Sequence, residues 1–116
     1  MTQKPVVSDD PMYLLLRDGK VEEFNRRRAE GEEPHLVSCD FSAMDLRDLV
    51  ADGLDMRDSA FHETDLRGVD LRNTHLEGAS LHGARLAGVY FPVALEAAEI
   101  ELSLEHGTRL RYRAGG

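Results

Sequence analysis

Thr64-Asp65-Leu66-Arg67-Gly68-Val69-Asp70-Leu71-Arg72-Asn73 decides how this chain folds, because Asp, Leu and Arg return in the same order after five residues. Working outward from Leu66 in steps of five gives Leu36, Phe41, Leu46, Ala51, Met56, Phe61, Leu66, Leu71, Leu76, Leu81, Leu86 and Phe91. Eleven of these twelve centres are large and apolar. The residues two before each centre are mostly small or apolar: Cys39, Met44, Leu49, Leu54, Ser59, Thr64, Val69, Thr74, Ala79, Ala84 and Val89. Aspartate often precedes the centre (Asp40, Asp45, Asp55, Asp65, Asp70) and arginine often follows it (Arg47, Arg57, Arg67, Arg72). Glycine recurs on the same beat at Gly53, Gly68, Gly78, Gly83 and Gly88.

Neither regular element accounts for a period of five. On an α-helix a step of five turns by about 140°, so the apolar set would spiral around the axis. On a flat strand an odd step flips each side chain to the opposite face. The pattern becomes consistent if the backbone turns a corner within every five residues. Four corners close a square coil, with the centre and the residue two before it facing inward. Glycine and aspartate suit the bends, since both tolerate turn conformations. Twelve repeats then make about three coils. Ala51, with Val50 before it, departs from the pattern and predicts an irregular corner.

The chain resembles the pentapeptide-repeat family, whose unit is Ala-(Asp/Asn)-Leu-x-x. The residues that carry the resemblance are Thr64–Gly68, Val69–Asn73, Ala79-Ser80-Leu81-His82-Gly83 and Ala84-Arg85-Leu86-Ala87-Gly88, within a tract covering residues 36–91. The resemblance implies a β-solenoid, a short right-handed quadrilateral β-helix with four flat faces. Some members, the quinolone-resistance proteins, resemble duplex DNA in shape and charge and bind DNA gyrase. Three coils span only about 15 Å at strand spacing, which is short for such mimicry unless two molecules join end to end.

A short solenoid has two ends to cover. Residues 1–35 read as an N-terminal helical cap. Asp10-Pro11 is an N-cap followed by proline at the first helical position, and Met12, Leu15 and Leu16 make an apolar stripe ending near Gly19. A second helix is predicted from about Lys20 to Ala29, with Val21 and Phe24 inward and Gly31 as its stop. Residues 36–93 form the repeat tract. Residues 94–116 admit two readings. Leu95 to Glu105 suits a helix ending at Gly107, with Arg109–Arg113 as a basic tail. The alternation from Glu99 to Glu105 equally suits a hairpin turning at His106-Gly107.

Composition narrows the function. Of 116 residues 41% are hydrophobic and 31% charged, which reads as a soluble globular chain, and no apolar run approaches the ~20 residues a bilayer requires. The absence of a signal-peptide core and the single Cys39 favour the cytoplasm. The net charge is −8, of which −5 falls on residues 36–91. That argues against direct nucleic-acid binding, which needs clustered cations. Stacking at a step of 20 places His35, Asp55 and His75 in one column and His62 and His82 in another. Such side chains point outward in parallel rather than converging, so no metal ligation is expected, and no triad, nucleophile elbow or phosphate loop is present. No catalytic residue and no cofactor are expected. Cys39 fills an inward position above Ser59 and Ala79. The expected role is a non-catalytic protein-interaction scaffold or regulator with an unknown protein partner and no membrane or nucleic-acid contact. Its candidate surface is Asp45, Arg47, Asp65, Arg67, Arg109, Arg111 and Arg113. Alternatives are a gyrase-binding duplex mimic, an enzyme or ligand binder with a site between the terminal segments and the solenoid, and a homodimer through the C-terminal segment.

Overall fold

A computed structural model describes residues 4–114. Within the repeat tract almost every repeat makes the same turn. The N–H three residues beyond the centre donates to the centre's carbonyl, as from Thr64 to Phe61, Val69 to Leu66 and Ala84 to Leu81. The third residue of the turn is left-handed, the signature of a type II turn. Later repeats place glycine there, Gly78 (φ 81°) among them, whereas Ser38, Ala43, Asp48, Asp58 and Glu63 adopt positive φ without being glycine. A non-glycine residue in that region costs of order 1–2 kcal/mol, so the strain gathers in the first repeats.

Four turns bring the chain back onto itself after twenty residues. Parallel bridges join Asp40 to Ala60 and Ala60 to Ser80, Asp45 to Asp65 and Asp65 to Arg85, Asp55 to His75, and Asp70 to Tyr90. We name the rungs coil 1 (36–55), coil 2 (56–75) and coil 3 (76–95). No extended strand forms among the described residues; the coils meet through isolated bridges. The physical reason is length. A turn in every five residues leaves about three extended residues per face, enough for one bridge and too few for a ladder.

Among the described residues, Val50 and Asp70 lack the bridge that the repeat would give them. Beside them Gly53 N–H meets Asn73 O, twenty residues on, where the other corners pair at nineteen. This is the corner where Ala51 interrupts the apolar series.

The interior is a set of side-chain columns. Leu36, Phe41, Leu46, Met56, Phe61, Leu66, Leu71, Leu76 and Leu81 are each 1% exposed or less, while Leu86 and Phe91 at the last turns are partly buried. Ala51 is buried as well, at 2%. Burying one such leucine stabilises by about 1.5–3 kcal/mol. Phe41 stacks on Phe61 at 5.1 Å and 10°, and Tyr13 closes the column at 5.5 Å. In coil 2 the small inward positions carry hydroxyls that donate to carbonyls of coil 1: Ser59 to Leu36, Thr64 to Phe41 and Thr74 to Ala51, each at 2.8 Å. At Phe41 and Ala51 the hydroxyl takes a second lone pair on a carbonyl that already closes a turn, while Ser59 Oγ stands between Cys39 N–H and Leu36 O in place of that turn bond; all three tie successive coils together from inside.

Two helices cover the first coil. Helix α1 (Pro11–Arg17) starts where Asp10 accepts the Tyr13 N–H, and it buries Met12, Tyr13, Leu15 and Leu16. Helix α2 (Val21–Ala29) buries Val21 and Phe24 and packs against α1. What coil 1 would receive from a preceding coil comes here from other groups. Val6 pairs its backbone with Ser38 and Asp40. The Tyr13 hydroxyl donates to Asp40 O at 2.6 Å. The Asn25 amide donates to Asp48 O and accepts the Val50 N–H, and Arg28 donates to Val50 O and Asp52 O.

At the other end, helix α3 (Ala97–His106) is closed by left-handed Gly107, and residues 108–113 run on without helix. The hairpin reading of this segment gives way to helix and tail, because Ser103 faces the coil instead of a cross-strand neighbour. Its buried hydroxyl accepts Leu81 N–H and donates to Thr108 O. The tail lies on coil 3, with Gly78 N–H meeting Leu110 O and Leu110 N–H meeting Ala79 O. No helix among the described residues is long and apolar enough to cross a membrane.

Candidate functional site

The exposed positions flanking each centre repeat one small device. In four repeats the aspartate before the centre accepts the backbone N–H of the arginine after it, an Asx-type turn contact. It then clamps that arginine's guanidinium through both carboxylate oxygens. Asp45 holds Arg47 at 3.1 Å through the backbone and at 3.0 and 2.8 Å through Nε and Nη2. Asp55–Arg57, Asp65–Arg67 and Asp70–Arg72 repeat it, with side-chain distances of 2.7–3.0 Å. The aspartate therefore shapes the corner and orients the cation together. Ion pairs form chiefly within repeats, where stacking alone suggests alternating like-charged columns.

One clamp reaches across coils. Arg47 Nε lies 3.5 Å from Asp65 Oδ2, so Asp45, Arg47, Asp65 and Arg67 form a single cluster over two rungs. The guanidinium of Arg67, followed by its backbone N–H, holds the Asp65 carboxyl down at about 2. Arg72 does the same for Asp70, also at about 2. The cluster borders an open groove of about 790 Å³ between the α1–α2 turn and the coil face, which Lys20, Glu22, Glu23 and Asp48 also line. Among the described residues Lys20, Glu22 and Asp48 form no ion pair. The sequence reading missed this helical side of the groove, because no local signal says which part of a cap overhangs which face.

The remaining three predicted cations stand apart from that cluster, each engaged with its own acid. Arg109 lies 3.4 Å from Asp58, Arg111 lies 3.2 Å from Glu99, and Arg113 lies 4.0 Å from Glu96. The basic run thus finds acidic groups within its own chain.

Beside Arg109 is a cleft of about 160 Å³ lined by Asp58, His62, Ser80 and Gly107 among others. His62 Nε2 is 3.0 Å from Ser80 Oγ, and that hydroxyl donates to Gly107 O. With its hydrogen committed to a carbonyl, Ser80 is left as acceptor toward His62, the reverse of an activated nucleophile. The His62 and His82 rings meet edge-on at 6.0 Å, and Asp55 bridges His75 by backbone alone. Among the described residues no three His, Cys, Asp or Glu side chains gather as a metal site would require. Cys39 is buried, and desolvation, with a smaller contribution from Asp10, pushes its thiol up to about 11.

Residues 55–91 match the family model described as pentapeptide repeats, in eight copies. No curated protein and no solved structure matches the chain. The matched residues begin where coil 1 ends, yet coil 1 makes most of the same turns and bridges coil 2 at Asp40, Asp45 and Asp55. Three of its corners carry Ser38, Ala43 and Asp48, where the equivalent corners of coil 3 carry Gly78, Gly83 and Gly88.

Proposed function

We propose, from the premise that the chain belongs to the pentapeptide-repeat family, that it is a non-catalytic interaction module. Its recognition surface is the cluster Asp45, Arg47, Asp65 and Arg67 with the adjoining groove, and its partner is a protein. Repeats of this family are generally non-enzymatic. The observation that carries the reading is the clamp geometry. Four guanidinium groups are fixed by their own aspartates on rigid turns, so a partner meets preset charges at little ordering cost. A right-handed quadrilateral winding belongs to the same reading. It rests on the family likeness and the twenty-residue return.

The duplex-mimic alternative, with DNA gyrase as partner, needs columns of unpaired carboxylates. The arginines on Asp45, Asp55, Asp65 and Asp70 weigh against it. A homodimer held by Arg109–Arg113 is weakened in the same way, since each of these cations has an acid in its own chain.

The test is capture from the source cell's lysate on immobilised protein, at low and high salt, with an Arg47→Glu/Arg67→Glu variant beside it. The expected result is a defined protein retained at low salt, released at high salt and lost from the variant. Retention that neither salt nor the charge reversal alters removes this face as the recognition surface. Capture of nothing specific removes the module reading itself.

A further inference from the structure

The C-terminal end of the stack is only partly roofed. α3 and the tail serve the first part of coil 3, where Leu76, Gly78, Leu81 and Gly83 N–H groups donate to Tyr112, Leu110, Ser103 and Leu104 respectively. Across residues 84–91 the pattern stops. Among the described residues the N–H groups of Leu86, Gly88 and Phe91 and the carbonyls of Ala84 and Val89 have no hydrogen-bond partner. One coil below, every equivalent group has one. Leu66, Gly68 and Leu71 N–H donate to Arg85, Ala87 and Tyr90 O, while Thr64 and Val69 O accept from Arg85 and Tyr90 N–H. The five free groups are therefore one side of a parallel rung whose other side is missing. Tyr90 is 59% exposed beside them.

We infer that this edge receives an extended segment of a partner polypeptide as a fourth rung, with an acidic residue of that segment seated over Arg85. Three observations carry this. First, the donor and acceptor order is fixed by the coil and suits an extended backbone added at the edge. Second, the same chain fills open rungs this way twice, with Val6 on coil 1 and Leu110 on coil 3. Third, Arg85 stands in the column Asp45–Asp65–Arg85 and makes no ion pair among the described residues. A rung above lies about 4.8 Å away, so the residue over Arg85 falls within reach of its charge. This surface is the end of the stack, distinct from the Asp–Arg face, and the proposal does not depend on that face.

The probe is a synthetic octapeptide, Thr-Asp-Leu-Arg-Gly-Val-Asp-Leu, copied from residues 64–71, the stretch that already lies against the lower side of 84–91. Amide hydrogen exchange of the full chain is followed by NMR with and without saturating peptide. The proposal expects exchange at Leu86, Gly88 and Phe91 to slow by about tenfold or more, with Leu66 and Leu71 changed less than twofold. A peptide with its first Asp replaced by Lys binds at least several-fold more weakly, and Arg85→Glu restores its binding. N-methylation of the peptide backbone abolishes the protection. No protection at the three amides overturns the proposal, as does equal binding of the Lys peptide. Protection that appears without peptide as protein concentration rises also overturns it, because the occupant is then a second copy.

Discussion

Gly78→Ala separates two costs that a turn glycine can hide. Gly78 has φ 81°, and a Cβ there would overlap the Asp58 carboxylate oxygen and lie 3.1 Å from Asp58 Cγ. Gly68 has φ 78° and nothing within 4 Å of the same added atom. Left-handed alanine costs about 1–2 kcal/mol, and the stiffer unfolded chain returns about 0.4–1 kcal/mol. Gly68→Ala should therefore destabilise by about 1 kcal/mol. In Gly78→Ala the Asp58 side chain must also leave its place, where it meets Arg109 at 3.4 Å. A displaced rotamer adds about 0.5–1.5 kcal/mol, giving about 2 kcal/mol in all. For a chain of this size that corresponds to a Tm about 4 °C lower than that of Gly68→Ala for each 1 kcal/mol of difference. The assay is urea unfolding followed by circular dichroism, since the chain has no tryptophan. In an Asp58→Gly background the Gly78→Ala cost should fall to the Gly68→Ala value. Equal costs for the two alanines in the wild-type background would refute the reasoning.

Carbon NMR titration should find the Asp65 and Asp70 carboxyls still ionised until the pH nears 2, since both sit at about 2 against an ordinary 3.8. Because these folded values are depressed, their stabilisation is complete above pH 4 and fades as the pH falls from about 4 to 2. A stability curve flat across that window contradicts the clamp. The Cys39 thiol, buried and held at about 11, should resist iodoacetamide at pH 8 and react at an ordinary thiol rate only in denaturant; rapid labelling of the native chain would place it outside the core. Asn25→Ala should cost about 0.5–1.5 kcal/mol by urea unfolding, since it removes the solvent-exposed hydrogen bonds to Asp48 O and Val50 N–H. A loss below about 0.5 kcal/mol means water replaces the amide without penalty.

The period of five was readable because it is local: each repeat makes its own turn, and Leu66 and Leu71 need no distant information to face inward. Met12 and Phe24 were readable for the same reason, as apolar stripes at helical spacing. The irregular corner announced itself through Ala51. Harder to read was everything one coil supplies to the next. Nothing near Asn25 in the sequence says that its amide stands in for a missing rung, and nothing near Thr74 says that its hydroxyl reaches Ala51 O. The arginines divide on this line. Arg47 and Arg67 meet aspartates two residues away, whereas Arg109 meets Asp58 across 51 positions of sequence. The C-terminal segment stayed open because alternation and helix propensity both fit it, and only Ser103 facing Leu81 separates them.

The twenty-residue return also sets which changes of length the molecule tolerates. Adding or deleting five residues inside the tract moves every later side chain a quarter of the way round, so α3 and the tail arrive over the wrong face. Adding one residue sends the later centres outward. A block of twenty leaves every column aligned and both caps in place, and lengthens the stack by one coil. The chain can therefore grow or shrink only in whole circuits, and Val50–Asp70, where two coils already lack their bridge, is the joint where a new circuit disturbs least.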